Sequence, residues 1–259
     1  MPKKALSAAV SSPRYARIDA LRGLAMLWMT VFHFCFDLNQ LGSGRQDFLG
    51  DPFWTWQRTG IVSLFLFCAG LSQAVAWRQG LGWPRFWRRW AQVAGCALAV
   101  SAATWLWHAP TFVYFGVLHG LALMLIATRL LAPWAARHPG PTLALALACI
   151  AAKFATAALA GQAPALEAAL NSAWLNWTGL VTRLPVTQDY VPVLPWLGVM
   201  LIGLLAGQRW VNADPSPLAG PLPRWARPLA TLGRWSLSYY MLHQPVLIGL
   251  LLAWRWLGG

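Results

Sequence analysis

Four residues of one early apolar stretch could do chemistry: Asp19, Arg22, His33 and Asp37. On a helix, residues advance by about 100° each. Relative to Arg22, His33 then lies near 20°, and Asp19 and Asp37 both lie near 60°. All four point the same way. Lipid disfavours such a stripe, so it must face protein or a polar cavity, and ionisable groups in a span are functional candidates. His33 and Asp37 are four apart, a spacing at which helical side chains meet. A carboxylate beside an imidazole fixes its tautomer and raises its basicity, the base-and-orienter arrangement used in acyl transfer. The same spacing equally serves a structural hydrogen bond between helices. Arg22 sits roughly 16 Å along the axis from His33.

Composition says what must hold these groups. Only 10% of the 259 residues are charged and 58% are hydrophobic, less than half the charge of a soluble domain. Disorder is excluded, and the net charge of +13 reflects seven acids rather than a nucleic-acid-binding surface. Eighteen Trp suit a chain with many helix ends at bilayer interfaces. We therefore expect an all-α, polytopic integral membrane protein. Seven segments meet the length of a span: Ile18–Leu41, Gly60–Trp77, Ala91–Trp107, Phe115–Leu131, Thr142–Ala160, Val193–Val211 and Leu229–Trp256. They would surround a polar cavity lined by the first helix. Residues 1–16 form a cytoplasmic N-terminal segment and residues 17–259 a single transmembrane domain. With the N-terminus inside, fifteen Lys and Arg fall on the inner side and four on the outer, which supports an N-in topology. No internal repeat supports a transporter plan. Cys35, Cys68, Cys96 and Cys149 fall in apolar runs without a C-x-x-C pair, so no metal or redox site is expected.

Several short motifs, in order, carry a resemblance. They are Arg17-Ile-Asp19-Ala-Leu-Arg22-Gly23, Phe32-His33-Phe34 with Asp37-Leu38, Phe65-Leu-Phe-Cys-Ala-Gly70 and Phe115-Gly116-Val-Leu-His119. Asp189-Tyr190 with Leu194-Pro195-Trp196, and Ser236-Leu-Ser-Tyr-Tyr240 with His243-Gln244-Pro245, follow. From about residue 14 to residue 250 the chain resembles the catalytic-domain family of heparan-alpha-glucosaminide N-acetyltransferase. The spacing from Arg22 to His33 is also similar to the signature of acyltransferase family three, whose matching histidine is taken as catalytic. The first family's own histidine lies nearer the outer end of this helix. Leu41-Gly-Ser-Gly-Arg45 has none there, and His33 fits the family-three position instead.

The resemblance implies transfer of an acyl group, usually acetyl, from cytoplasmic acetyl-CoA to a hydroxyl or amine of a sugar beyond the membrane. His33 would be the base and Asp37 its orienter. Arg17 and Arg22, at the cytoplasmic end of the first helix, and Arg88 and Arg89, in a basic Trp-rich turn, would hold the CoA phosphates, which arginine forks suit. Asp19, His119, Asp189, Tyr190, Trp196 and His243 would line the cavity or contact the acceptor. The expected partners are membrane lipid, acyl-CoA and an extracytoplasmic carbohydrate. Nucleic acid is not expected, and a homo-oligomer is open. The expected setting is the bacterial inner membrane. A transporter using the stripe as a pathway, or a scaffold using it as helix glue, are the rival readings.

Overall fold

A computed structural model describes residues 15–158 and 161–258, less the side chain of Ser43. Lys3, Lys4 and Arg14 of the expected N-terminal segment lie outside the described residues, as does the end of the fifth expected span at Ala160. The described chain is built of helices: α1 Ala16–Leu38, α2 Pro52–Arg78, α3 Trp83–His108, α4 Val117–Arg137, α5 Pro139–Ala158, α6 Pro164–Leu170, α7 Val193–Val211, α8 Arg227–Arg234 and α9 Ser236–Trp256. Among the described residues the sole bridge pairing is Phe115 with Tyr190.

Six stretches are long and apolar enough to cross a membrane: Ala16–Gly42, Pro52–Arg78, Val117–Arg137, Pro139–Ala158, Val193–Val211 and Ser236–Trp256. The third expected span falls on α3, whose first turns carry Arg85, Arg88 and Arg89. Its 26 residues nevertheless run antiparallel to α4 over the same thickness. Arg129 of α4 donates to the Leu81 carbonyl at one end, and His119 of α4 meets Ser101 of α3 at the other. The seventh expected span, Leu229–Trp256, is two helices. The chain leaves helical geometry at Trp235, because α8 lies across α1 instead of continuing α9.

Small residues set the tightest crossings, as between helices in lipid. A Cβ on Gly70 of α2 would stand 2.1 Å from the Met200 carbonyl oxygen, and one on Gly203 of α7 would stand 2.3 Å from that of Phe67. Only hydrogen fits on either side, so α2 and α7 touch backbone to backbone. The α1–α8 crossing is closer still: Gly23 abuts the Leu229 carbonyl, and Gly233 abuts that of Asp19. The core between α2, α3, α4 and α7 is filled by Leu66, Val93, Leu118, Met124 and Met200.

The bundle has a basic end. Arg78 with Asn212, Gln208 with the Ala132 carbonyl and Arg22 with the Gly233 carbonyl bring the termini of α1, α2, α4, α7 and α8 together there. Twelve described arginines belong to it: 17, 22, 78, 85, 88, 89, 129, 137, 209, 224, 227 and 234. Four, at positions 45, 58, 183 and 255, belong to the opposite end.

Candidate active site

The polar face of α1 meets partners at both levels. At the basic end Arg22 Nη1 donates to Asp19 Oδ1 at 3.1 Å and to the Gly233 carbonyl at 3.3 Å, and Nη2 donates to Ser72 Oγ at 2.7 Å. Ser72 passes its own proton to the Cys68 carbonyl at 2.7 Å. Of these three contacts, two tie α1 to α2 and α8, and the one to Asp19 stays within α1. Arg17 donates to the Pro217 carbonyl at 2.7 Å. An open cleft of about 340 Å³ adjoins them, bordered by Asp19, Arg227, Thr231 and Arg234.

Towards the opposite end, α1 and α9 bring His33, Asp37, His243 and Gln244 together. The imidazoles of His33 and His243 stand edge to face with centroids 5.1 Å apart. His243 Nδ1 lies 2.7 Å from the Tyr240 carbonyl. A carbonyl only accepts, so Nδ1 carries the proton and neutral His243 keeps its lone pair on Nε2. Asp37 is 7% exposed and accepts from Gln244 Nε2 at 2.8 and 3.1 Å, one contact to each oxygen. Gln244 also lies against His33. The expected direct bond between His33 and Asp37 is not formed: the amide of Gln244 stands where the imidazole was expected. Below them Tyr239 meets Thr30 at 2.6 Å. Thr30 gives its proton to the Met26 carbonyl, so Tyr239 is the donor.

Three enclosed atoms of this cluster have no hydrogen-bond partner: His33 Nδ1, His243 Nε2 and Gln244 Oε1. Buried polar atoms are normally satisfied. These three atoms converge from two helices, where they can meet another polar group. Two neutral imidazoles, one with its lone pair fixed on Nε2, can accept a proton or a hydrogen bond there.

The other expected site residues lie elsewhere. His119 Nδ1 accepts from the Gly116 N–H at 3.3 Å, so its Nε2–H faces Ser101 Oγ at 3.1 Å. Both nitrogens are used where α4 begins. Asp189 Oδ2 accepts from the Val117 N–H at 2.7 Å and caps α4. Burial pushes its carboxyl above the usual range, against the lowering effect of that N–H. Tyr190 donates to the Asn176 carbonyl, and Asn176 donates to Tyr114. These groups fasten the 161–192 connection to the bundle. Trp196 packs against the core between α4 and α7. Arg88 is exposed, and Arg89 donates to Gln92 at 3.0 Å. Among the described residues no group of three or more His, Cys, Asp or Glu is placed to hold a metal ion.

Gln244 lies within His243-Gln244-Pro245, but nothing in its spacing points to Asp37. Ser72, Ser101 and Tyr239 had no signal in spacing, since their partners lie on other helices.

The family model described as heparan-alpha-glucosaminide N-acetyltransferase, catalytic, matches residues 14–245. No curated protein matches the chain, and no solved structure does.

Proposed function

We propose that this chain, which belongs to the heparan-alpha-glucosaminide N-acetyltransferase catalytic family, moves acetyl from acetyl-CoA across a bilayer to a hydroxyl or amine of a carbohydrate. The family implies a membrane acetyltransferase-like function; donor, acceptor and direction are our reading. The basic end faces the cytoplasm of a bacterial inner membrane, in keeping with twelve arginines against four. Donor phosphates are met there by the basic rim around Arg17 and Arg88. The single observation that carries the reading is the His33–His243 pair with its unpartnered atoms, backed by Gln244 and Asp37.

The acceptor oxygen or nitrogen attacks the thioester carbonyl. A C–O or C–N bond forms, and the C–S bond breaks. His33 takes the proton from the acceptor, and the sulfur leaves as thiolate and is protonated to free CoA. Asp37 acts through Gln244. It holds the amide N–H₂ and so fixes Oε1 in place beside the imidazole, and Nε2 of His33 serves as the base.

The test is single-turnover release of free thiol from acetyl-CoA, with amino sugars and glycans as acceptors. A general base contributes about 10²–10⁴-fold, so His33→Ala should lose at least about a hundredfold while still binding acetyl-CoA. Near-normal turnover in folded His33→Ala protein refutes the assignment.

A further inference from the structure

A second site lies away from the histidines, where α3 and α9 part. A groove of about 740 Å³ opens there to the outside of the bundle. Its mouth carries Arg89, Arg234 and Trp235, and its walls include Gly95, Ala99 and Leu242. From Arg89 to Ala99 is about 15 Å of helix, half of a roughly 30 Å hydrocarbon core. The groove is therefore one leaflet deep. A Cβ on Gly95 would meet nothing within 4 Å, so the slot is open at mid-depth.

The chemistry is graded along this slot. Two guanidinium groups stand at the interface, where Arg89 spends one N–H on Gln92 and the Arg234 guanidinium makes no hydrogen bond among the described residues. Arginine forks suit phosphate oxygens, and an indole beside them suits the headgroup level. Below lie small and aliphatic side chains that a hydrocarbon chain can cover. His243 is five residues beyond the groove residue Ser238, about 140° around α9, so the groove does not open onto the imidazole pair. A basic rim alone is ordinary at a membrane surface. A rim set over an apolar slot of one-leaflet depth is not.

We infer that this groove binds one anionic phospholipid of the leaflet at the basic end, its phosphate between Arg89 and Arg234 and one chain along Gly95 and Ala99. This site does not use the histidine pair of the acetyl-transfer reading.

The experiment is native mass spectrometry of delipidated protein re-exposed to dioleoyl phosphatidylglycerol or dioleoyl phosphatidylcholine. One phosphatidylglycerol should be retained, and phosphatidylcholine should not compete at equal concentration. Arg89→Ala should weaken retention by about tenfold or more, the scale of a charge-assisted bond. Gly95→Leu should abolish it with every charge kept, and Arg137→Ala, at the same end but outside the groove, should leave it unchanged. Equal retention of the two lipids, equal loss in Arg137→Ala, or full retention in both Arg89→Ala and Gly95→Leu would overturn the inference. So would displacement by millimolar inorganic phosphate or CoA, which would make the arginines a site for soluble phosphate. If Gly95→Leu does not fold, the Arg89→Ala and Arg234→Ala double variant decides.

Discussion

Gln244→Leu removes the group that lies between Asp37 and His33 while keeping nearly the same volume. Both Nε2 contacts to Asp37 are lost, and a carboxyl only 7% exposed is left without a donor from α9. Bonds to charged groups contribute about 1.5–3 kcal/mol, whereas hydrogen bonds between helices in lipid rarely exceed about 1.7. The two ranges overlap near 1.5 kcal/mol, which we take as the expected loss. For a chain of this size about 2–4 °C accompanies each kcal/mol, so the melting temperature should fall by about 3–6 °C. Equilibrium unfolding in mixed micelles of Gln244→Leu, Asp37→Leu and the double variant isolates the pair, with an expected coupling of about 1 kcal/mol or more. Turnover should also fall further than the folded fraction does, because His33 loses its Oε1 neighbour. Coupling under about 0.5 kcal/mol, or turnover that tracks folded fraction alone, would refute the linkage.

Gly233→Ala places a methyl 1.8 Å from the Asp19 carbonyl oxygen. That oxygen belongs to backbone and cannot swing aside, so overpacking should cost about 1–3 kcal/mol, while Gly249→Ala, which meets open space, should melt like the parent; equal melting of both variants would contradict the crossing. Asp189→Ala removes the cap of α4 and should cost about 0.5–2 kcal/mol, most of it restored by Asn. Because the folded carboxyl binds its proton more tightly than the unfolded one, Asp189's contribution declines as pH rises from the ordinary aspartate range through the raised folded value. The Asn variant should lose that part of the pH slope, and an unchanged melting profile against pH would refute the assignment.

Much of the fold is legible in apolar run length. The span Val193–Val211 coincides with α7 at both ends. Starts are less legible, because capping rather than hydropathy sets them. Asp51 accepts from Phe53 N–H and Pro52 opens α2 eight residues before the apolar run at Gly60. Pro84 likewise opens α3 inside a basic turn. The break at Trp235 was hidden because Leu229–Trp256 is apolar throughout most of its length, and a crossing of glycine on backbone leaves no periodic trace. The candidate site was legible as a face: Arg22, His33 and Asp37 do share one side of α1. Periodicity gives that side but not the neighbour it meets. Asp37 therefore found Gln244, and Arg22, expected to be available to phosphate, found Asp19, Ser72 and Gly233.

The first helix takes its polar partners from the last part of the chain. Arg22 reaches Gly233 across 211 positions, Thr30 reaches Tyr239 across 209, and Asp37 reaches Gln244 across 207. A ribosome adding about 5–20 residues each second leaves α1 waiting roughly 10–40 s for α9. During that interval its charged stripe is held only by α2, through Ser72, or by the insertion machinery. Chains that stop before α9 carry an unanswered polar face on α1, since Thr30 and Asp37 then lack Tyr239 and Gln244.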